Sequence, residues 1–217
     1  MSEEEIFTKL RDAIVERDKN AVEKVCREVI EKGIDPLKAI EKGIMEGAKI
    51  IGEKFDKLEI FLMDLMLAAD AMKAGVEILL SKVPREAAPR KGVIVIGTVS
   101  GDIHDIGKNI VASLLSANSF TVYDLGVDVS PVKFIEEAEK VNADVIAMSA
   151  LMTSTVGVQK DVIDYLRDMG KRDKFLIVVG GGATTKEWAE EIGADGWAET
   201  ATEGVKVISK LIEERKT

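Results

Sequence analysis

The chain of 217 residues carries a single histidine, His104, in the stretch Gly101-Asp102-Ile103-His104-Asp105-Ile106-Gly107-Lys108, directly after the apolar run Gly92-Val93-Ile94-Val95-Ile96-Gly97. Asp102 places a carboxylate within reach of that imidazole. A carboxylate in this position fixes the tautomer of a metal-ligating histidine and raises its basicity. In a parallel α/β domain the loop after the first strand lies at the carboxyl edge of the sheet, where ligands bind at the switch in strand order. Gly107 lets the backbone come close to something large. A lone Asp-x-His is also what an ordinary polar surface loop looks like, so the pair gains weight only from its company.

That company is a pair of further strand ends. Ser149-Ala150-Leu151-Met152-Thr153-Ser154-Thr155 follows the apolar run Asp144-Val145-Ile146-Ala147-Met148, and Phe175-Leu176-Ile177-Val178-Val179 runs into Gly180-Gly181-Gly182-Ala183-Thr184-Thr185. Either alone is a common strand-to-helix turn, since Ser and Thr cap helices and Gly permits tight loops. Together they set hydroxyls, glycines and the histidine loop on one sheet edge.

The elements that must position these residues follow from the apolar pattern. Strands are expected near 92–98, 120–125, 144–149, 175–180 and 194–198, and helices near 106–117, 131–141, 156–169, 185–192 and 202–214. Ser130-Pro131 supplies a cap and a first-position proline. Five alternating units predict a flavodoxin-like, doubly wound parallel sheet of five strands. The N-terminal part has helical periodicity and no strand candidate, with helices near 3–17, 19–32, 36–53 and 60–81. Asp35-Pro36 fixes the third start. In the fourth, Leu62, Leu65, Met66, Ala69, Met72, Val76 and Leu79 recur at three and four residues opposite Asp64, Asp70, Lys73 and Glu77, which reads as one face of a four-helix bundle core. The resulting organisation is a helical domain over 1–82, a linker over 83–91 holding Pro84 and Pro89, and an α/β domain over 92–217.

Composition removes several function classes. The net charge of −9 and the lack of a basic cluster speak against nucleic acid. No signal peptide and no apolar stretch of spanning length is evident, so a cytoplasmic location and no membrane association are expected. Cys26 stands alone, which excludes an intramolecular disulfide and suits a reducing compartment; with one histidine besides, a structural zinc site has too few donors. A phosphate-binding P-loop fails because five residues, 102 to 106, separate Gly101 from Gly107 and Asn109 follows Lys108. No GxGxxG follows the first strand, and no acidic cluster of a receiver domain stands out.

The ordered set Asp102-x-His104-x-x-Gly107, Ser149-x-Leu151 and Gly180-Gly181 resembles the cobalamin-binding signature of methionine synthase and of the corrinoid methyl-carrier proteins. The resemblance implies that His104 is the lower axial ligand of cobalt, that Asp102 accepts its other N–H, and that the Thr155 hydroxyl extends this relay. It further implies cofactor contacts from Gly101, Ile103, Asp105 and Gly107 in the histidine loop. Ser149, Leu151, Thr153, Gly180, Gly181, Gly182 and Ala201 would add to the groove for the nucleotide tail. Phe55-Asp56-Lys57-Leu58-Glu59-Ile60-Phe61-Leu62, with Leu65 and Ala68 to Gly75, is similar to the helical cap over the upper face of methylcobalamin. On that match Phe55, Phe61, Leu62 and Leu65 shield the methyl group and Glu41 approaches the corrin rim.

What the resemblance implies for function is a corrinoid protein, not a complete enzyme alone, that carries a methyl group on cobalt. It would work between a substrate:corrinoid methyltransferase and a second methyltransferase, with a corrinoid reductive activase as a further partner. Methylamine, betaine or a methoxy-aromatic compound would be the donor, in one-carbon metabolism such as methanogenesis or acetogenesis. The competing expectation is a cobalamin-binding module for sensing, or a mutase small subunit. In either case the cofactor supplies the chemistry and the protein supplies ligation and shielding. The linker 83–91 would be the hinge that lets a cap move.

Overall fold

The computed structural model describes residues 2–82 and 91–216, so the linker expected at 83–91 lies, except for Lys91, outside the described residues. The chain divides into two compact units, Met1–Pro84 and Arg85–Thr217.

The first unit is helical. Helix α1 (Glu3–Val15) opens on a reciprocal cap in which the Ser2 hydroxyl accepts from the Glu5 N–H and the Glu5 carboxylate accepts from the Ser2 N–H. Helix α2 (Lys19–Glu31) is capped by Asp18. Ile6, Leu10 and Ile14 of α1 and Val22, Cys26 and Val29 of α2 are buried, which is the three-and-four spacing of a core-facing stripe. The single helix expected over 36–53 is instead α3 (Pro36–Ala39), a π-helical segment (Ile40–Met45) and α4 (Glu46–Asp56). Gly43 and Gly47 explain how this stretch meets α1. A Cβ at Gly43 would lie 2.7 Å from the Leu10 side chain, and one at Gly47 2.7 Å from Ile14.

Helix α5 (Leu62–Leu80) buries Ala68, Ala71, Met72, Gly75, Val76 and Leu79. The expected core stripe therefore holds only in its second half. Leu62 and Met66 are 62% and 59% exposed, and Phe61, Met63 and Leu67 are exposed beside them. Apolar periodicity identifies a face but cannot say whether a neighbouring helix covers all of it. Here the small residues Ala68, Ala71 and Gly75 mark where another helix comes close, since a Cβ at Gly75 would lie 2.8 Å from the Val22 side chain and 2.9 Å from that of Ile44.

The second unit is a five-stranded, all-parallel sheet in the order β2-β1-β3-β4-β5, with β1 Val93–Thr98, β2 Thr121–Asp124, β3 Val145–Ser149, β4 Leu176–Gly180 and β5 Gly196–Ala198. This is the doubly wound arrangement that the alternating pattern predicts. Helices α6 (Ile106–Ala117), α7 (Pro131–Lys140), α8 (Gly157–Asp168), α9 (Lys186–Ile192) and α10 (Ala201–Lys216) connect and follow the strands. Val95, Ile146, Met148, Ile177 and Val179 of the sheet meet Phe134, Ile163 and Leu166 in one buried cluster. Both faces of the central strands are covered, which is why they read as unbroken apolar runs. The fifth strand is shorter than the 194–198 expected; just before it the Asp195 N–H donates to the Ile177 carbonyl while the Asp195 carboxylate accepts from the Ile177 N–H and from Arg172.

Register brings four strand ends onto one row: Thr98 pairs with Ser149, Ser149 with Gly180, and Gly180 with Ala198. The chain leaves β1 toward one edge and β3 toward the other, so the crevice outside Thr98 and Ser149 is the switch point of the sheet. No helix among the described residues is long and apolar enough to cross a membrane.

Candidate functional site

The loop from β1 to α6 lies at that crevice and is shaped by its own backbone. The Asp102 N–H donates to the Val99 carbonyl, Gly101 takes φ +81°, and the fully buried Thr98 hydroxyl donates to the His104 carbonyl at 2.9 Å. Asp102 is itself fully buried. Its Oδ1 accepts from the His104 N–H at 3.0 Å and lies 2.7 Å from His104 Nδ1. Its Oδ2 accepts from the Leu151 N–H at 2.8 Å, the Met152 N–H at 3.3 Å and the Thr155 hydroxyl at 3.1 Å. One carboxylate thus joins the histidine loop to the loop after β3, and it brings together Asp102, His104, Leu151 and Thr155 as the motif suggests.

Burial pushes the Asp102 carboxyl up, but the donors from His104, Leu151 and Thr155 outweigh it and hold it down at about 2. An ionised carboxylate can only accept, so Nδ1 carries the imidazole proton and Nε2 is the free ligand atom. The His104 side chain is 47% exposed. Among the described residues no group of three or more His, Cys, Asp or Glu side chains is placed to hold a metal ion. A lone outward nitrogen is too little for a bare ion. A single such donor would suit a metal whose other ligands are already supplied by a macrocycle.

The other expected residues divide between the two units. Ile103, at 73% exposed, and Leu151, at 47%, flank the histidine with apolar surface. A Cβ added at Gly107, in the first turn of α6, would meet nothing within 4 Å. Ser149 ends β3 half-buried, Thr153 is exposed, Asp105 precedes α6 and Ala201 begins α10. The three glycines after β4 are not equivalent. Gly181 has φ +105°, and a Cβ there would lie 2.2 Å from the Ala150 carbonyl oxygen, so only glycine fits. Gly180 completes the strand, and a Cβ at Gly182 would meet only the mobile end of Leu151. Glu41, Phe55, Phe61, Leu62 and Leu65 belong to the helical unit, where Phe61 is 79% exposed and Glu41, Phe55 and Leu65 are half-buried.

Four residues that the motifs do not name also shape the site. Thr98 is one. Lys108, only 2% exposed at its side chain, donates from Nζ to Asn109 Oδ1 at 2.6 Å and to both Asp124 oxygens at 2.6 and 2.5 Å, tying the first turn of α6 to the end of β2. Asp128, in the loop after β2, accepts from Gly101 and Ser100. Only the pairing of β1 with β2 brings Asp124 and Asp128 to the histidine loop, and spacing along the chain carries no sign of it.

Comparison with known proteins agrees with this geometry. A B12 binding domain model matches residues 92–206, and a second B12 binding domain model matches residues 6–80. The chain is 47% identical over 214 residues to a dimethylamine corrinoid protein of Methanosarcina barkeri, covering 98% of this chain and 100% of the relative. This chain belongs to the B12-binding corrinoid proteins. It is also 39% identical over 210 residues to a corrinoid protein of Desulfitobacterium hafniense, covering 95% of this chain and 97% of that relative. The solved monomethylamine corrinoid protein of Methanosarcina barkeri superposes with a TM-score of 0.90 at 39% identity, covering 97% of this chain and all of that one. A chain of the methanol:cobalamin methyltransferase complex from Methanosarcina barkeri matches at a TM-score of 0.54 and 33% identity, over 98% of this chain and 81% of that one. Members of this family bind a corrinoid.

Proposed function

We propose that this corrinoid protein carries a methyl group between a methylamine-type substrate:corrinoid methyltransferase and a second methyltransferase. The observation that carries the reading is the Asp102–His104 pair at the switch point of the sheet, with Nε2 unencumbered and Nδ1 held 2.7 Å from a buried carboxylate. The bound corrinoid supplies a cobalt centre that accepts and releases the methyl group. In this reading His104 would ligate that metal, and Asp102 would hold the Nδ1 proton and so the ring orientation. Thr155 and the Leu151 and Met152 amides hold Asp102 in turn, and Ser149, Thr153, Gly107 and the glycines after β4 line the groove for the tail.

The names of the relatives direct the choice of donor, since full-length matches include proteins named for dimethylamine and trimethylamine. The decisive experiment is reconstitution with cobalamin followed by methylation assays against mono-, di- and trimethylamine methyltransferases, with betaine, methanol and methoxy-aromatic enzymes alongside. Methylation by at least one methylamine enzyme is the expected result. Methylation only by a non-amine enzyme, or by none, would refute the proposed donor class. A reductive activase belongs to the same proposal as a further partner.

The helical unit enters the proposal as a shield. Phe61, Leu62, Met63, Met66 and Leu67 form an exposed apolar run in sequence. Because Phe61 is 79% exposed, Phe61→Ala should alter unfolding free energy by no more than about 0.5 kcal/mol. Light-driven loss of the methyl group from the methylcobalamin-loaded variant should nevertheless be faster than in the parent. Equal photolysis rates at equal cofactor occupancy would remove Phe61 from the shield.

A further inference from the structure

Asp128 sits in the loop after β2 with φ +54°, in the left-handed region that favours glycine, asparagine and aspartate. Its Oδ1 accepts from the Gly101 N–H at 2.7 Å and from the Ser100 hydroxyl at 3.0 Å. Its own N–H donates to the Asp102 carbonyl at 3.0 Å. On either side the Thr98 N–H donates to the Gly126 carbonyl and the Val129 N–H to the Thr98 carbonyl. Residues 126–129 are therefore laced to 98–102 by these five hydrogen bonds. The two bonds to the carboxylate fall where the histidine loop passes through the left-handed region, at Gly101 with φ +81°. Those same donors hold the Asp128 carboxyl below the usual carboxylate range.

We propose that Asp128 is a positioning residue for His104. It fixes Ser100 and Gly101, which set the place of Asp102, and Asp102 orients the imidazole. The proposal rests on the reading of His104 as the cobalt ligand, yet the geometry it requires exists in the protein without cofactor. Asp128 does not touch the ring, so its effect must travel through the backbone of residues 100–102. The left-handed backbone makes the choice of variants informative. Asp128→Gly keeps the conformation and removes the carboxylate, while Asp128→Asn keeps an acceptor oxygen and tolerates the same φ.

The single histidine makes the test site-specific, because nitrogen-15 histidine labelling reports on His104 alone. In cofactor-free full-length protein, Asp128→Gly should change the ring nitrogen resonances toward those of an unrestrained imidazole. The Gly101 amide should exchange with solvent on the order of tenfold faster, the factor expected for loss of one charge-assisted hydrogen bond. Cobalamin-loaded Asp128→Gly should show histidine nitrogen coupling in the cobalt(II) spectrum for only part of the population, and Asp128→Asn should restore most of it. Ring resonances in Asp128→Gly that overlay those of the parent would overturn the proposal. So would a Gly101 amide in the parent protein that exchanges as freely as an unprotected one, a measurement that stands even if the glycine variant fails to fold. If the loaded parent lacks histidine coupling while Asp128→Gly still moves the ring resonances, the ligand assignment fails and the positioning role survives.

Discussion

Replacing His104 by alanine should abolish nitrogen superhyperfine structure in the electron paramagnetic resonance spectrum of the cobalt(II)-loaded protein. The expectation is sharp because the chain has no second histidine to substitute, and no cluster of other donors lies among the described residues. Parent protein labelled with nitrogen-15 histidine should show the altered line pattern of a spin-half nucleus, and the alanine variant should be blind to the label. Folding should survive. Asp102 loses the ring partner at 2.7 Å but keeps the Leu151, Met152 and Thr155 donors and the amide of residue 104. One lost hydrogen bond at a half-exposed side chain costs about 1–2 kcal/mol. Retention of cofactor without histidine coupling would separate tail binding from axial ligation, whereas an unchanged spectrum would show that His104 is not the ligand.

The second large effect belongs to Asp102. Asp102→Ala leaves the Leu151 and Met152 amides and the Thr155 hydroxyl without their buried acceptor, and should lower unfolding free energy by about 3–5 kcal/mol, as the loss of one partner from a buried charged network does. Asp102→Asn is the more instructive variant. Its amide NH2 must face either the loop donors or the imidazole. Facing the imidazole, it forces Nδ1 to accept and moves the ring proton onto Nε2, the atom that ligation needs. Cobalt(II) spectra of Asp102→Asn should therefore show reduced histidine coupling even though His104 is intact, and full coupling would detach Asp102 from the ligand's orientation.

Asp102 also predicts an acid response. Its carboxyl lies at about 2 in the folded chain against an ordinary 3.8, so the folded state binds this proton less readily than the unfolded state. The contribution is complete above about pH 4 and is lost as pH falls through about 2, and a lowering from 3.8 to about 2 corresponds to about 2.5 kcal/mol. Unfolding free energy of the parent should drop over that interval by more than that of Asp102→Asn. Parallel curves would mean that the carboxylate carries no such coupling.

Residues whose neighbours are set by local pattern were legible in the chain. The five apolar runs announce the strands, and contact between Asp102, His104 and Thr155 was implied by the resemblance to the cobalamin-binding signature rather than by spacing alone. The π-helical segment at Ile40–Met45 was not legible, since one wide turn leaves no mark in a three-and-four pattern. Leu62 and Met66 looked like core because periodicity records a face and not its cover. Among Gly180, Gly181 and Gly182, the sequence could not say which must be glycine, because the answer is the approach of the Ala150 backbone. Lys108, Asp124 and Asp128 were silent for a related reason: their partners are chosen by strand pairing across many residues.

The two oxygens of Asp102 have separate tenants, one serving His104 and the other anchored to Leu151, Met152 and Thr155. A latch with its strike plate screwed to the door frame behaves in the same way. When the bolt is withdrawn the plate stays where it was, and the bolt finds it again without a search. Rotation of the imidazole away from Oδ1 would leave Oδ2 with its three donors, so the change would be confined to one side chain and the surrounding loops would not need rebuilding.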